Sequence, residues 1–165
     1  MWGKYFYPLE LNLFRNMCRI GRQRLSGDLM VTDLRKVRIM LVEDNIDDFE
    51  LTRIVLRRHF LDKHLHLATD GSETLKCLER LVEDCKDSSD LPDLILVDIG
   101  LPGMNGLELL EKLKNDTRFS HIPVVILTGS HMSEHIQKSY DLGAVTYLVK
   151  PVSEDDLMMT LSYLT

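Results

Sequence analysis

A chain of 165 residues with 44% hydrophobic and 28% charged residues is long enough to bury one sizeable core. The formal net charge of −6 is unevenly spread: residues 1–36 hold seven Lys and Arg against three Asp and Glu, and the remainder holds thirteen against twenty-three. An acidic body offers no footprint for nucleic acid, whose binding draws on clustered cations, and no apolar run approaches the ~20 residues that span a bilayer. The cysteines Cys18, Cys77 and Cys85 are odd in number and form no close metal-type pairs. That argues against a disulfide framework and for a reducing compartment. The N-terminus also lacks the uninterrupted apolar core of a secretory leader. A cytoplasmic protein without membrane or nucleic-acid contact is the expectation.

Residues 1–36 read as an N-terminal extension, either a poorly ordered tail or an over-extended start with translation beginning at Met30. A competing reading is an amphipathic helix. Leu9, Leu13, Met17 and Ile20 fall at near-helical spacing with Arg15, Arg19 and Arg22 between them. From residue 37 to residue 165 strand-like and helix-like segments alternate. Val37–Val42 is an apolar run ending at Glu43-Asp44. Ile46–Phe60 has helical periodicity carried by Phe49, Ile54, Val55 and Leu56, with acids in its first turn where the helix dipole favours them. Leu65–Ala68 is a short strand, with His64 and His66 on a solvated edge. Gly71 to about Asp84 is a helix with Leu75, Leu78, Leu81 and Val82 inward. A polar connector over Asp84–Asp93 leads to the aliphatic run Leu94–Val97, which ends at Asp98. Gly100 to Gly106 is a loop, Leu107–Asn115 a helix, and Val124–Leu127 a strand ending at Thr128. His131–Leu142 reads as helix, Ala144–Val149 as strand, and Ser153–Leu164 as a last helix capped by Ser153. The chain stops one residue later, so no appended output domain is expected.

Strands that are aliphatic throughout are buried on both faces. The five β-α repeats therefore predict an α/β, doubly wound (βα)5 fold, a five-stranded parallel sheet with helices on both faces. In such sheets ligands bind beyond the carboxyl ends of the strands. Those positions are Glu43 and Asp44, then Asp98, Thr128 and Lys150, the last followed by Pro151. Carboxylates crowded together repel unless a cation lies between them, and a hard divalent ion such as Mg²⁺ suits oxygen donors beside phosphate. A carboxylate nucleophile can attack a phosphoryl group to give an acyl phosphate. Lys150 and the Thr128 hydroxyl would meet the charge on its oxygens. Singly, each of these residues has an ordinary structural explanation; together at one sheet edge they point to one chemistry. Asp47 and Asp48 read as first-turn helix acids only.

At these residues the chain resembles the receiver domains of two-component response regulators, which share the flavodoxin-like fold of the chemotaxis regulators. The resemblance runs from about Arg38 to Leu164. Its carriers are Ile39-Met40-Leu41-Val42-Glu43-Asp44-Asn45, the stretch Leu96 to Gly106, Val125-Ile126-Leu127-Thr128 and Tyr147-Leu148-Val149-Lys150-Pro151. It implies that Asp98 is the phosphoacceptor, and that Glu43, Asp44, Asp98 and the Gly100 backbone carbonyl hold Mg²⁺. Lys150 and Thr128 would then stabilise the phosphoryl group, with Thr128 and Tyr147 forming the switch. It also implies a signalling phosphoacceptor and not an enzyme with its own substrate. Its partners would be a histidine kinase or histidine phosphotransfer protein and a downstream protein. Glu43 stands where Asp is common in the family, and Ile46 where Pro often follows Asn. The long connector, Asp47-Asp48 and Ser139 to Ala144 are similar to single-domain regulators of phytochrome-type kinases, which implies a homodimer through the fourth and fifth βα units. Small residues around Asp98 (Gly100, Gly129, Ser130) leave water a path to an acyl phosphate, so self-dephosphorylation should not be slow.

Three rival readings are weaker. His131-Met132-Ser133-Glu134-His135 spells the His-x-x-Glu-His of a zinc peptidase family, but without a third ligand or a cleft. Gly100, Gly103 and Gly106 follow a buried strand at Gly-x-x-Gly-x-x-Gly spacing, not the Gly-x-Gly-x-x-Gly that cradles a pyrophosphate. A phosphorylation-independent binding module would typically have lost the acceptor Asp or the Lys, and both are present.

Overall fold

A computed structural model describes residues 37–84, 91–129 and 133–164. The N-terminal extension, Cys18, Met30, most of the polar connector, Ser130 and His131 lie outside the described residues. The elements are β1 (Ile39–Val42), α1 (Ile46–Arg58), a 3-10 turn (Asp62–His64), β2 (Leu65–Ala68), α2 (Gly71–Asp84), β3 (Leu94–Asp98), α3 (Gly106–Asn115), β4 (Val124–Thr128), α4 (Ser133–Asp141), β5 (Thr146–Val149) and α5 (Glu154–Leu164). The strands form one parallel sheet in the order β2-β1-β3-β4-β5. This is the expected doubly wound α/β fold. Its strand order reverses at β1, with β2 to one side and β3 to the other.

Alternation along each strand sends side chains to two cores. On one face Met40, Val42, Ile95, Val97, Val124 and Ile126 pack against Leu78 of α2 and Leu109, Leu110 and Leu113 of α3. On the other, Ile39, Leu41, Leu94, Leu96, Val125, Leu127 and Leu148 meet Leu56 of α1 and Leu157 and Leu161 of α5. The three central strands, β1, β3 and β4, are buried at every residue, which is why their sequence is continuously aliphatic. β2 is an edge strand with His66 and Leu67 exposed, as expected of a solvated edge, but His64 belongs to the 3-10 turn before it.

Local chemistry explains most of the boundaries. Asn45 caps α1, its side chain accepting from the Asp47 and Asp48 N–H groups. Asn105 forms a full capping box with Glu108 at the start of α3. Ser153 Oγ accepts from the Asp156 N–H at 3.1 Å, as its expected cap role requires. Replacing Asn105 by Ala should cost about 1 kcal/mol, read as a lower urea midpoint with an unchanged slope; an unshifted midpoint would show the box to be dispensable. Arg58 and His59 at the end of α1 both contact Glu154 of α5, at 2.7 and 2.8 Å, and tie the two helices of one face together.

Some expected details differ. Ile54 is 49% exposed, because it lies about 200° around the helix from buried Leu56. The inward stripe is carried by Phe49, Thr52, Val55 and Leu56. α1 ends at Arg58 and not at Phe60, which turns the chain with φ of 61°. β1 starts at Ile39 because Arg38 is engaged with Asp93, through its backbone N–H and its guanidinium. β5 starts at Thr146, after Gly143 with φ of 92° ends the α4 turn. The Lys150–Pro151 peptide bond is cis.

Candidate functional site

Strand register brings the expected site residues together. Val42 of β1 is aligned with Val97 of β3, so Glu43 and Asp98 follow side by side at the point where the strand order reverses. Thr128 is aligned with Val149, and the Lys150 N–H donates to the Thr128 carbonyl at 2.8 Å. Glu43 is anchored through its own N–H, which donates to the Ala68 carbonyl at 3.0 Å. Its Oε1 accepts from the Asn45 N–H at 3.2 Å. The turn that caps α1 thus also orients Glu43.

Burial separates the acids. Glu43 is 2% exposed, Asp98 8% and Thr128 4%, whereas Asp44 faces solvent. Lys150 Nζ lies 2.6 Å from Glu43 Oε2, 3.0 Å from Asp48 Oδ2 and 3.1 Å from Asp98 Oδ1. Asp48 is the residue that sequence reading missed. It sits 102 positions from Lys150, and its place in a helical first turn already accounted for an acid there.

The recess holds more negative charge than Lys150 can balance. Burial pushes the Glu43 carboxyl above its ordinary value, and the Asp98 charge adds to this against the counter-pull of Lys150. Burial alone would lower the Lys150 ammonium, but its carboxylate neighbours Glu43, Asp48 and Asp98 outweigh it and the net shift is upward. A carboxyl with a raised folded value favours folding below the ordinary 4.5 and loses that contribution as pH rises through the raised value. In chelator-treated protein, Glu43→Gln should therefore melt at a higher temperature than the parent at neutral pH. The gap should close as pH falls toward 4.5, the unperturbed Glu value. A variant that melts lower at neutral pH would show that the ion pair with Lys150 outweighs the burial.

Glu43, Asp44 and Asp98 each bring a carboxylate oxygen within 4.8 Å of the other two. Although Glu43 Oε2 touches Lys150, it is buried and makes no hydrogen bond of good geometry. A buried acceptor with unused lone pairs, in an all-oxygen set of excess negative charge, fits a hard divalent cation. The donors suit that class of ion and no soft metal.

The loop after β3 is shaped by close backbone approach. A Cβ at Gly106 would stand 2.1 Å from the Asp98 carbonyl oxygen, and the Gly106 N–H donates to the Ile99 carbonyl at 3.1 Å. The chain therefore folds back directly over Asp98. Tyr147 is half-buried on β5, its ring edge-on to Tyr140 at 6.2 Å and 80°. Glu134 and His135 are exposed at the start of α4, and His131 of the zinc-type motif lies outside the described residues.

A parallel (βα)5 sheet with an acidic cluster, a buried threonine and a lysine at its carboxyl edge defines an α/β signalling receiver. Residues 39–162 match the response regulator receiver domain, and the chain belongs to that family. It is 36% identical to response regulator Rcp1 of Synechocystis sp. over 119 residues, 72% of this chain and 80% of that protein. The bacteriophytochrome response regulator AtBRR has a similar structure, with 35% identity, a TM-score of 0.67 and coverage of 78% of this chain and 93% of the other. The phosphorylated cyanobacterial phytochrome response regulator RcpA gives 34%, 0.63, 76% and 88%. The Mn²⁺-bound form of Rcp1 gives 33%, 0.58, 76% and 88%. The phytochrome-associated type is thus among its relatives, as the sequence resemblance implied. Other relatives are longer: the chain spans 32% of a probable cyclic di-GMP phosphodiesterase of Vibrio cholerae. No helix among the described residues is long and apolar enough to cross a membrane.

Proposed function

We propose that this receiver accepts a phosphoryl group on Asp98 from a phosphohistidine of a histidine kinase or histidine phosphotransfer protein, and signals the event to a downstream protein. The observation that carries this reading is the Lys150 ammonium 3.1 Å from Asp98 Oδ1, in the same recess as the acidic cluster. In the step, an Asp98 carboxylate oxygen forms a bond to phosphorus as the phosphorus–nitrogen bond breaks. The imidazole leaves with the bonding pair and takes up a proton. Lys150 and the Thr128 hydroxyl donate to the phosphoryl oxygens, meeting the charge that develops there. Glu43, Asp44, Asp98 and the Gly100 backbone carbonyl would hold Mg²⁺. When bound, the ion neutralises phosphoryl charge and relieves the repulsion among the acids.

The new charge then acts on a bistable element. Thr128 turns toward the phosphoryl group and Tyr147 rotates further inward, giving up its edge-on contact with Tyr140. The altered surface lies on the fourth and fifth βα units, where a second copy or the downstream protein would dock. The reading places the protein in the cytoplasm, in contact with proteins and with neither nucleic acid nor membrane. Its relatives support it: RcpA was solved phosphorylated and Rcp1 with Mn²⁺.

Incubation with Mg²⁺ and acetyl phosphate, read by intact mass, tests the proposal. The expected result is a gain of one phosphoryl group that EDTA prevents. A folded protein that stays unmodified would move the reading to a phosphorylation-independent binding module.

A further inference from the structure

Lys150 has three ammonium donors, and three carboxylates surround it. These neighbours are not equivalent in the reaction proposed above, on which this inference rests. Asp98 gives up its charge on becoming an acyl phosphate. Glu43 belongs to the oxygen cluster that suits a divalent cation. Asp48 alone is drawn on by neither event.

Asp48 is also well placed to hold the ammonium. It stands in the first turn of α1, with its N–H bonded to the Asn45 side chain, and the Asn45 N–H donates in turn to Glu43. Its carboxylate reaches Lys150 from the solvent side, with the Asp48 side chain 32% exposed and that of Lys150 13%. We infer that Asp48 is a positioning residue that anchors Lys150 from α1 while the other partners of the ammonium are exchanged for phosphoryl oxygens. A lysine stem has four rotatable bonds, and a tether on its far side limits where the charge can sit.

The neighbouring acid provides the control. Asp47 lies in the same first turn, favours the same helix dipole, and has no ion-pair partner among the described residues. Asp48→Ala should slow phosphoryl incorporation from acetyl phosphate on the order of tenfold. Asp48→Glu should recover part of that rate and Asp47→Ala should match the parent. A second reading is independent of phosphorylation: the ¹⁵N-resolved signal of the Lys150 ammonium, assigned by its loss in Lys150→Arg. It should be sharp in the parent and in Asp47→Ala, and broadened by solvent exchange in Asp48→Ala. An unchanged ammonium signal, or equal rates for parent and Asp48→Ala, overturns the inference. If the parent takes up no phosphoryl group, the proposed function falls, and the ammonium signal still decides whether Asp48 anchors Lys150.

Discussion

Asp98→Asn should abolish phosphoryl incorporation, by on the order of 10³-fold or more, as loss of a nucleophile does elsewhere, while leaving the fold intact and more resistant to heat in the absence of divalent cations. The two effects have one origin. The amide keeps the shape of the carboxylate at the end of β3 but lacks its charge, so it is a poor nucleophile for phosphorus. Removing that charge also lessens the repulsion among Glu43, Asp44 and Asp98, whose oxygens lie within 4.8 Å of one another. Lys150 would keep Glu43 and Asp48 as partners at 2.6 and 3.0 Å. Mass spectrometry and a thermal melt on the same preparation check both halves. A variant modified at the parental rate would place the acceptor on another residue. One that melts well below the parent would make Asp98 a structural member of the ion-pair network.

Gly106→Ala should destabilise the protein by roughly 3–5 kcal/mol, at the top of the range for single substitutions. The cause is local and has no side-chain remedy. The added methyl carbon would stand 2.1 Å from the Asp98 carbonyl oxygen and 2.9 Å from Ile99 Cα, both backbone atoms. The chain would have to lift off β3, losing the Gly106 N–H bond to Ile99 and displacing Asp98 from the acidic cluster. Gly103→Ala provides the contrast. Gly103 has φ of 71°, but an added methyl group there would meet nothing within 4 Å, so only a left-handed backbone cost of roughly 1–2 kcal/mol is expected. Chemical denaturation of the two variants should separate them clearly. A Gly106→Ala protein as stable as Gly103→Ala would mean that the β3–α3 loop is not fixed in this close approach.

Most of this architecture was legible in the sequence because the central strands are buried on both faces and so cannot alternate. Leu94–Asp98 and Val124–Thr128 are buried at every position, and each ends on a polar residue at the carboxyl edge. Glu43, Asp44, Asp98, Thr128 and Lys150 could be gathered because the βα repeat dictates which strand ends share an edge. What stayed hidden depends on distances between elements far apart in the chain. Asp48 has a complete local explanation as a first-turn acid, and only the packing of α1 beside the end of β5 gives it a second role. Gly106 reads as the end of a loop until the backbone of Asp98 is seen beneath it. Ile54 counts toward the apolar periodicity of α1, although its angle around the helix turns it to solvent. The turn at Phe60 carries no Gly or Asn to announce a positive φ.

Asp98 itself is proposed to carry the phosphoryl group. Acyl phosphates are reduced by borohydride to the alcohol, whereas free carboxylates are not. The protein should therefore be treated with acetyl phosphate and Mg²⁺, reduced, and mapped by peptide mass spectrometry. Reduction confined to position 98, and dependent on the phosphoryl donor, is the expected result. Reduction at Glu43, Asp44 or Asp48 in its place, or at no acidic residue of a fully folded protein, would contradict it.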